Sequence, residues 1–171
     1  MKVVIIDDYM PTLEMMEAML EHIEGISIHL FEDADKAYAY ILSQQVDVIL
    51  MDICMPGMDG IEWCRRFKQH EQLQHIPVLM VTGYDDEQKL EEAFAAGAFD
   101  YIRKPFTMVE LVARVQLAYR QKETMDQLKR TNEAYMESYR HMWTMQKKMN
   151  EDLHLARLVQ EGLLSEPLNA E

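Results

Sequence analysis

The feature that most constrains this chain is an apolar run that ends on a carboxylate. Residues 46–60 read VDVILMDICMPGMDG, so that VILM leads to Asp52 and then to a turn containing Pro56 and Gly57. Such a run predicts a buried strand with an acid at its C-terminal end. The same arrangement recurs three times. VVII precedes Asp7 and Asp8, VLMV precedes Thr82, and FDYI stands just before Lys104. Four strand ends that each carry a polar group predict one shared site.

Between these runs lie segments of helical period, at spacings suited to βα units. Strands are expected near 2–6, 26–31, 47–51, 77–81 and 99–102, and helices near 11–23, 34–44, 60–70, 86–96 and from 107 onward. Pro11 suits a first helical turn and Asp59 suits an N-cap with Glu62 at N3, while Gly25 and Gly97 suit helix ends. Strands 1, 3 and 4 are almost wholly apolar, as central strands of a parallel sheet must be, whereas 26–31 and 99–102 admit polar residues and read as edges. The expected fold class is therefore α/β: a doubly wound, flavodoxin-like sheet of five parallel strands in order 2-1-3-4-5, with right-handed crossovers. In such a sheet, ligands bind beyond the carboxyl ends of the strands.

The fifth helix opens with a capping box, Thr107 with Glu110, flanked by Phe106 and Leu111 as a hydrophobic staple. No Pro and only Gly162 interrupt residues 107–164, a stretch that would run ~87 Å as one helix. A 3,4 spacing fits its later part: Met125, Leu128, Asn132, Tyr135, Tyr139, Met142, Gln146, Met149, Leu153, Ala156, Gln160 and Leu163. That is a coiled-coil seam, and a parallel homodimer through this helix is expected, with Asn132 setting register. The expected domains are 1–120, the sheet domain, and 121–171, a coiled-coil helical linker. Charge is distributed accordingly: residues 1–120 carry 10 basic and 21 acidic side chains, and residues 121–171 carry 7 and 9.

A net charge of −13 argues against nucleic acid as a direct partner. No apolar run reaches the ~18 residues that span a bilayer, so no membrane association is expected and a cytoplasmic location is the expectation. Cys54 and Cys64 have neither disulfide nor metal spacing. The six His show no metal-binding cluster, and the 15 Met read as core and seam fillers.

Three carboxylates gathered at strand ends repel by several kcal/mol at ~4 Å unless a cation joins them. Asp7, Asp8 and Asp52 therefore imply a divalent ion, and oxygen ligands in a shallow, hydrated site favour Mg²⁺. One carboxylate then remains able to attack a phosphoryl group, with Lys104 and Thr82 to bind its oxygens.

These motifs, VVIIDD at 3–8, DICMPGMDG at 52–60, VTG at 81–83 and AGAFDYIRKPF at 96–106, resemble the response-regulator receiver domain of two-component signalling over residues 1 to about 120. The resemblance implies a receiver that takes a phosphoryl group from a sensor histidine kinase onto Asp52. It implies Asp8 and Asp52 as direct Mg²⁺ ligands (Mn²⁺ substituting), the Cys54 backbone carbonyl as a third, and Asp7 acting through water. Thr82 resembles the switch hydroxyl, Lys104 the phosphate-pairing lysine, and Tyr101 the aromatic that turns inward with Thr82. Cys54 and Tyr84 occupy positions that tune phosphate lifetime, and the bond before Pro105 is expected to be cis. The segment DLHLARLVQEGLLSEPL is similar to the helix leading into metal-dependent serine phosphatase domains of the 2C class, through Leu155, Ala156, Arg157, Val159, Gln160, Leu163, Leu164 and Pro167. The resemblance implies that the linker is truncated before an effector domain, a serine/threonine phosphatase; the fragment itself is then no enzyme beyond its own phosphorylation and dephosphorylation, and the effector, or its protein substrate, is the downstream partner. A metal-dependent phosphohydrolase with an aspartyl nucleophile and an unphosphorylated coiled-coil scaffold are the rival readings. The hydrolase usually places its nucleophile in an Asp-x-Asp pattern after the first strand, where this chain has Asp7-Asp8-Tyr9.

Overall fold

The structure, a computed structural model, describes residues 1–83 and 87–164. Five strands alternate with five helices: β1 (Lys2–Ile6), α1 (Met10–Leu20), β2 (Ser27–Phe31), α2 (Ala34–Ser43), β3 (Val48–Asp52), α3 (Gly60–Gln69), β4 (Val78–Thr82), α4 (Glu87–Ala95), β5 (Asp100–Arg103) and α5 (Met108–Leu164). The strands pair in parallel in the order β2-β1-β3-β4-β5. The expected flavodoxin-like sheet is thus present, with β2 and β5 at its edges.

Uninterrupted apolar strands look unpatterned in sequence, yet the pleat sorts their side chains into two cores. Val3, Ile5, Val48, Leu50, Leu79 and Val81 face α1 and the start of α5, where they meet Leu13, Met16, Leu111 and Val115. Their neighbours Val4, Ile6, Ile49, Met51, Val78 and Met80 face α2, α3 and α4, against Ile41, Trp63, Phe67 and Ala93. Each apolar residue of the central strands β1, β3 and β4 is consumed by one core or the other. Only the strand ends are left for chemistry.

Strands β3, β4 and β5 each lie one residue further along the chain than the sequence pattern suggests. Parallel pairing explains the shift: Asp52 is registered with Val81 and Thr82 with Arg103, so both polar residues belong to the ladder itself. Helix α1 stops at Leu20, short of the expected 23, and the amide of Ile23 turns back to the Leu20 carbonyl at 2.9 Å. Gly25 and Gly97 adopt φ of 71° and 95°, the left-handed geometry that a non-glycine residue resists. The Asp59 carboxylate caps α3 through the Glu62 amide at 2.9 Å, and the Thr107 hydroxyl accepts from the Glu110 amide at 3.2 Å.

The chain divides into two compact units, Met1–Met125 and Asp126–Glu171. In the first, α5 contributes Leu111, Val115 and Ala118 to the core. In the second, every side chain from 127 to 161 is exposed. No helix among the described residues is long and apolar enough to cross a membrane.

Removing most of a fully buried side chain leaves a cavity, so Leu111→Ala is expected to cost about 2–5 kcal/mol of unfolding free energy. Val109, in the same turn, is 79% exposed, and Val109→Ala should stay within about 0.5 kcal/mol. Urea denaturation of the two variants beside the parent checks both values.

Candidate functional site

Asp7 lies just beyond β1 and Asp52 is the last residue of β3, on adjacent strands. They are 1% and 5% exposed, in a chain whose other carboxylates lie mainly at its surface. The Nζ of Lys104, which follows β5, donates to both: 2.8 Å to Asp7 Oδ2 and 2.7 Å to Asp52 Oδ1. One ammonium therefore holds two buried acids apart and neutralises half their charge. Each carboxylate uses its other oxygen in the same way. Asp7 Oδ1 accepts from the Tyr9 amide at 2.9 Å, and Asp52 Oδ2 accepts from the Cys54 amide at 2.7 Å. These are Asx turns, in which a short side chain caps the backbone two residues on and fixes the direction in which the chain leaves the strand.

Burial pushes the Asp52 carboxyl above the ordinary carboxylate range, and the Asp7 charge adds to the rise, against the lowering pull of Lys104 and the Cys54 amide. For Lys104, burial opposes the charged form, but the hydrogen bonds and charges of Asp52 and Asp7 outweigh it and raise the ammonium above its ordinary value. The pair is tightly coupled, and the direction for each follows from its dominant surroundings: a low-dielectric pocket for the acid, two anions for the lysine.

Thr82 ends β4 beside Asp52 and is 2% exposed. Its carbonyl accepts the Lys104 amide at 2.7 Å, which anchors the lysine's backbone to the strand between its own and Asp52's. The Lys104–Pro105 bond is cis. Gly60 closes the floor: its amide donates to the Ile53 carbonyl at 2.9 Å, and a Cβ there would come within 2.1 Å of the Asp52 carbonyl oxygen. The start of α3 can approach the phosphoacceptor candidate this closely only with glycine.

Of the sequence-predicted residues, Asp7, Asp52, Thr82, Lys104 and Cys54 are brought together, Cys54 by its amide. Asp8 is exposed immediately beside them. Tyr101 is half-buried, edge-on to Phe94 at 5.9 Å, with the Arg114 guanidinium 6.0 Å from its ring centroid. Arg114 also pairs with Asp100 and, at 3.3 Å, with Glu110. Tyr84 and Pro167 lie outside the described residues, and the seam positions from Met125 to Gln160 are all exposed along α5. Burial raises the Cys64 thiol to about 11, which keeps it protonated at neutral pH.

The donor chemistry suits a hard divalent cation, because the converging acceptors are carboxylate oxygens already gathered on one positive centre. The arrangement differs from a three-acid cluster. Among the described residues no three acids surround a common point, and the cation joining Asp7 to Asp52 is Lys104. The sequence pattern gave no sign of the two Asx turns or of the shared ammonium. The close approach at Gly60 was equally hidden, although a glycine opening a capped helix could have flagged it.

A family model described as the response regulator receiver domain matches residues 3–116. The phosphate regulon transcriptional regulatory protein PhoB of Pseudomonas aeruginosa is 38% identical over 118 residues, which are 69% of this chain and 51% of that protein. The heme response regulator HssR of Staphylococcus epidermidis is 34% identical over 148 residues, 85% of this chain and 64% of that protein. The chain thus spans about half to two thirds of the length of these relatives. Among solved structures, the Vibrio cholerae chemotaxis protein CheY4 superposes with a TM-score of 0.64 at 29% identity, over 68% of this chain and 97% of that one. The receiver domain of the Francisella response regulator 1452 gives 0.64 at 29%, over 70% and 97%.

Lys104→Met leaves two buried carboxylates without their cation and should lower stability by about 3–5 kcal/mol at pH 7. The lysine's contribution is complete below its ordinary value of 10.5 and is lost as pH rises through the raised one. At the acid end the gap between variant and parent should close as the Asp52 carboxyl, raised by burial, takes up its proton. Denaturant midpoints measured from pH 4 to 11 check this window; a gap that does not change with pH contradicts it.

Proposed function

The chain belongs to the response regulator receiver family, and on that basis we propose that it accepts a phosphoryl group from a sensor histidine kinase on Asp52. The observation that carries the reading is the bridging of Asp52 Oδ1 and Asp7 Oδ2 by Lys104 at 2.7 and 2.8 Å. A carboxylate oxygen of Asp52 forms the new bond to phosphorus as the phosphorus–nitrogen bond of the kinase phosphohistidine breaks, and the imidazole leaves with the electron pair. Lys104 meets the charge on the transferred oxygens, and the Thr82 hydroxyl donates to one of them. Asp8, Asp52 and the Cys54 carbonyl would hold Mg²⁺, with Asp7 acting through water, and the ion would neutralise phosphoryl charge. Tyr101, packed edge-on to Phe94, is the group whose inward turn would follow Thr82. Tyr84 would set access of hydrolytic water and hence phosphate lifetime.

Output is proposed to pass through α5, which is helical from Met108 to Leu164. Its seam residues support a parallel homodimer, and the Leu155, Ala156, Arg157, Val159 and Gln160 pattern supports an effector of the phosphatase 2C class beyond it. The net charge of −13 supports a protein partner rather than nucleic acid.

With Mg²⁺ and acetyl phosphate, the protein should take up one acid-stable, base-labile phosphoryl group, and Asp52→Asn should take up none. Absence of label in the parent would leave a scaffold, and steady phosphate release from many esters would favour a hydrolase. Sedimentation at micromolar concentration should give twice the chain mass of 20.2 kDa; a monomer there would sink the dimer.

A further inference from the structure

The seam of α5 contains a second regularity. Its positions a, seven residues apart, read Met125, Asn132, Tyr139, Gln146, Leu153 and Gln160, so every alternate one is a carboxamide and the amides stand fourteen residues apart. Positions d from 128 to 156, namely Leu128, Tyr135, Met142, Met149 and Ala156, carry no amide at all. All of these side chains are exposed on the helix, with Met125, Leu128, Tyr135 and Tyr139 between 48% and 67%.

We propose that this amide ladder selects one occupant for the α5 seam: a second copy of the chain, parallel and in register. The inference rests on the dimeric reading above and specifies its alignment. A carboxamide is both donor and acceptor, so it satisfies itself when it faces an identical group. In a parallel, unstaggered pair, Asn132, Gln146 and Gln160 each face their own copy. In an antiparallel pair, positions a face positions d, and every amide would meet a carbon-rich side chain. A parallel pair slipped by one heptad sets Asn132 against Tyr139 and Gln146 against Leu153, leaving the amides without amide partners. Buried amides without partners cost the full loss of their hydration. Charge agrees with the unslipped alignment. Positions g and the e positions they approach in the partner pair Asp152 with Arg157, and none of the pairs from Thr124–Lys129 to Asp152–Arg157 sets like charges together. Met136 and Trp143, at positions e, add apolar surface to the same side of the helix, and are 49% and 58% exposed in the single chain.

A slip of two heptads would again match amide to amide, Asn132 to Gln146 and Gln146 to Gln160, but it strands Met125 and the outermost layers beyond their partners. The test must therefore resolve axial offset as well as orientation. Spin labels carried on an encoded non-natural residue at Arg130 or at Glu151, both exposed positions f, leave Cys54 and Cys64 untouched. Pulsed dipolar spectroscopy on the full chain should give a short distance, equal at the two positions. A separation lengthened by the offset of fourteen residues, ~21 Å, or the long separation of an antiparallel pair at either position, overturns the proposal. Absence of any intermolecular coupling removes the dimer itself, and this inference with it. The triple variant Asn132→Leu, Gln146→Leu, Gln160→Leu should remain dimeric and show more than one distance. If it keeps the single short distance of the parent, the amides are not what selects the register, and the proposal fails.

Discussion

The site depends on one ammonium group. Two carboxylates buried on neighbouring strands cannot both remain ionised in a pocket of low dielectric without a cation between them, and the cationic side chain nearest to Asp7 in sequence, Lys2, is no help, because it stands at the opposite end of β1. Lys104 arrives from β5, across β4 from the acids it serves. At about 4.8 Å between strands, that path is longer than a lysine stem alone can cover. The Lys104 amide is held on the Thr82 carbonyl at 2.7 Å, which fixes the lysine's backbone against the end of β4, and its Nζ reaches both carboxylates from there. Sheet order, strand register and the ion pair are thus one constraint. Moving β5 elsewhere in the sheet would leave Asp7 and Asp52 facing each other alone.

The same economy shows in how the acids are aimed. Each spends one oxygen on Lys104 and the other on the amide two residues further along the chain. The Asx turn at Asp52 turns the chain out of β3 at Cys54, and the absence of a Cβ at Gly60 lets α3 return under the Asp52 carbonyl. A site built in this way is rigid on its backbone side and adjustable on its lysine side. That division suits the exchange of anionic partners that the proposed function asks of Lys104.

Much of this fold could be read from the sequence, and for a definite reason. Strands buried on both faces are forced to be continuously apolar, so β1, β3 and β4 announced themselves, while the polar residues of β2 and β5 marked the edges. Capping chemistry is local, and Asp59 and Thr107 could be recognised within four residues of text. Long-range pairings have no such signature. Asp7 and Asp8 are adjacent and chemically identical in sequence, yet one is buried on Lys104 and the other is exposed, because the Asp7 amide continues the β1 ladder to Phe31 and its side chain follows strand parity into the pocket. The Asx turns were hidden because they involve backbone donors, to which Tyr9 and Cys54 contribute nothing residue-specific. The one-residue shift of β3 and β4 had the same origin. A carboxylate looks like a loop residue until the neighbouring strand holds it in register.

Charge balance links the site as it stands to the phosphorylated state proposed for it. With Asp7 and Asp52 ionised and Lys104 protonated, the three side chains carry one net negative charge, and two of the three Lys104 N–H donors are already engaged on the carboxylates. A phosphoryl group on Asp52 would replace a carboxylate charge with about −1.5 to −2 and bring three acceptor oxygens. An ammonium with two of its three N–H groups on carboxylates cannot meet three phosphoryl oxygens as well, so under the proposed function Lys104 would turn from the carboxylates toward the phosphoryl group. Asp7 is then a buried anion in need of a different cation, beside Asp8 at the surface. The divalent ion proposed for this site would thus answer the lysine's divided loyalties more than the number of acids in the sequence. Under the proposed function, a rearrangement of Lys104 would be felt first at Thr82, whose carbonyl holds the Lys104 backbone, and then at β5, which leads into α5.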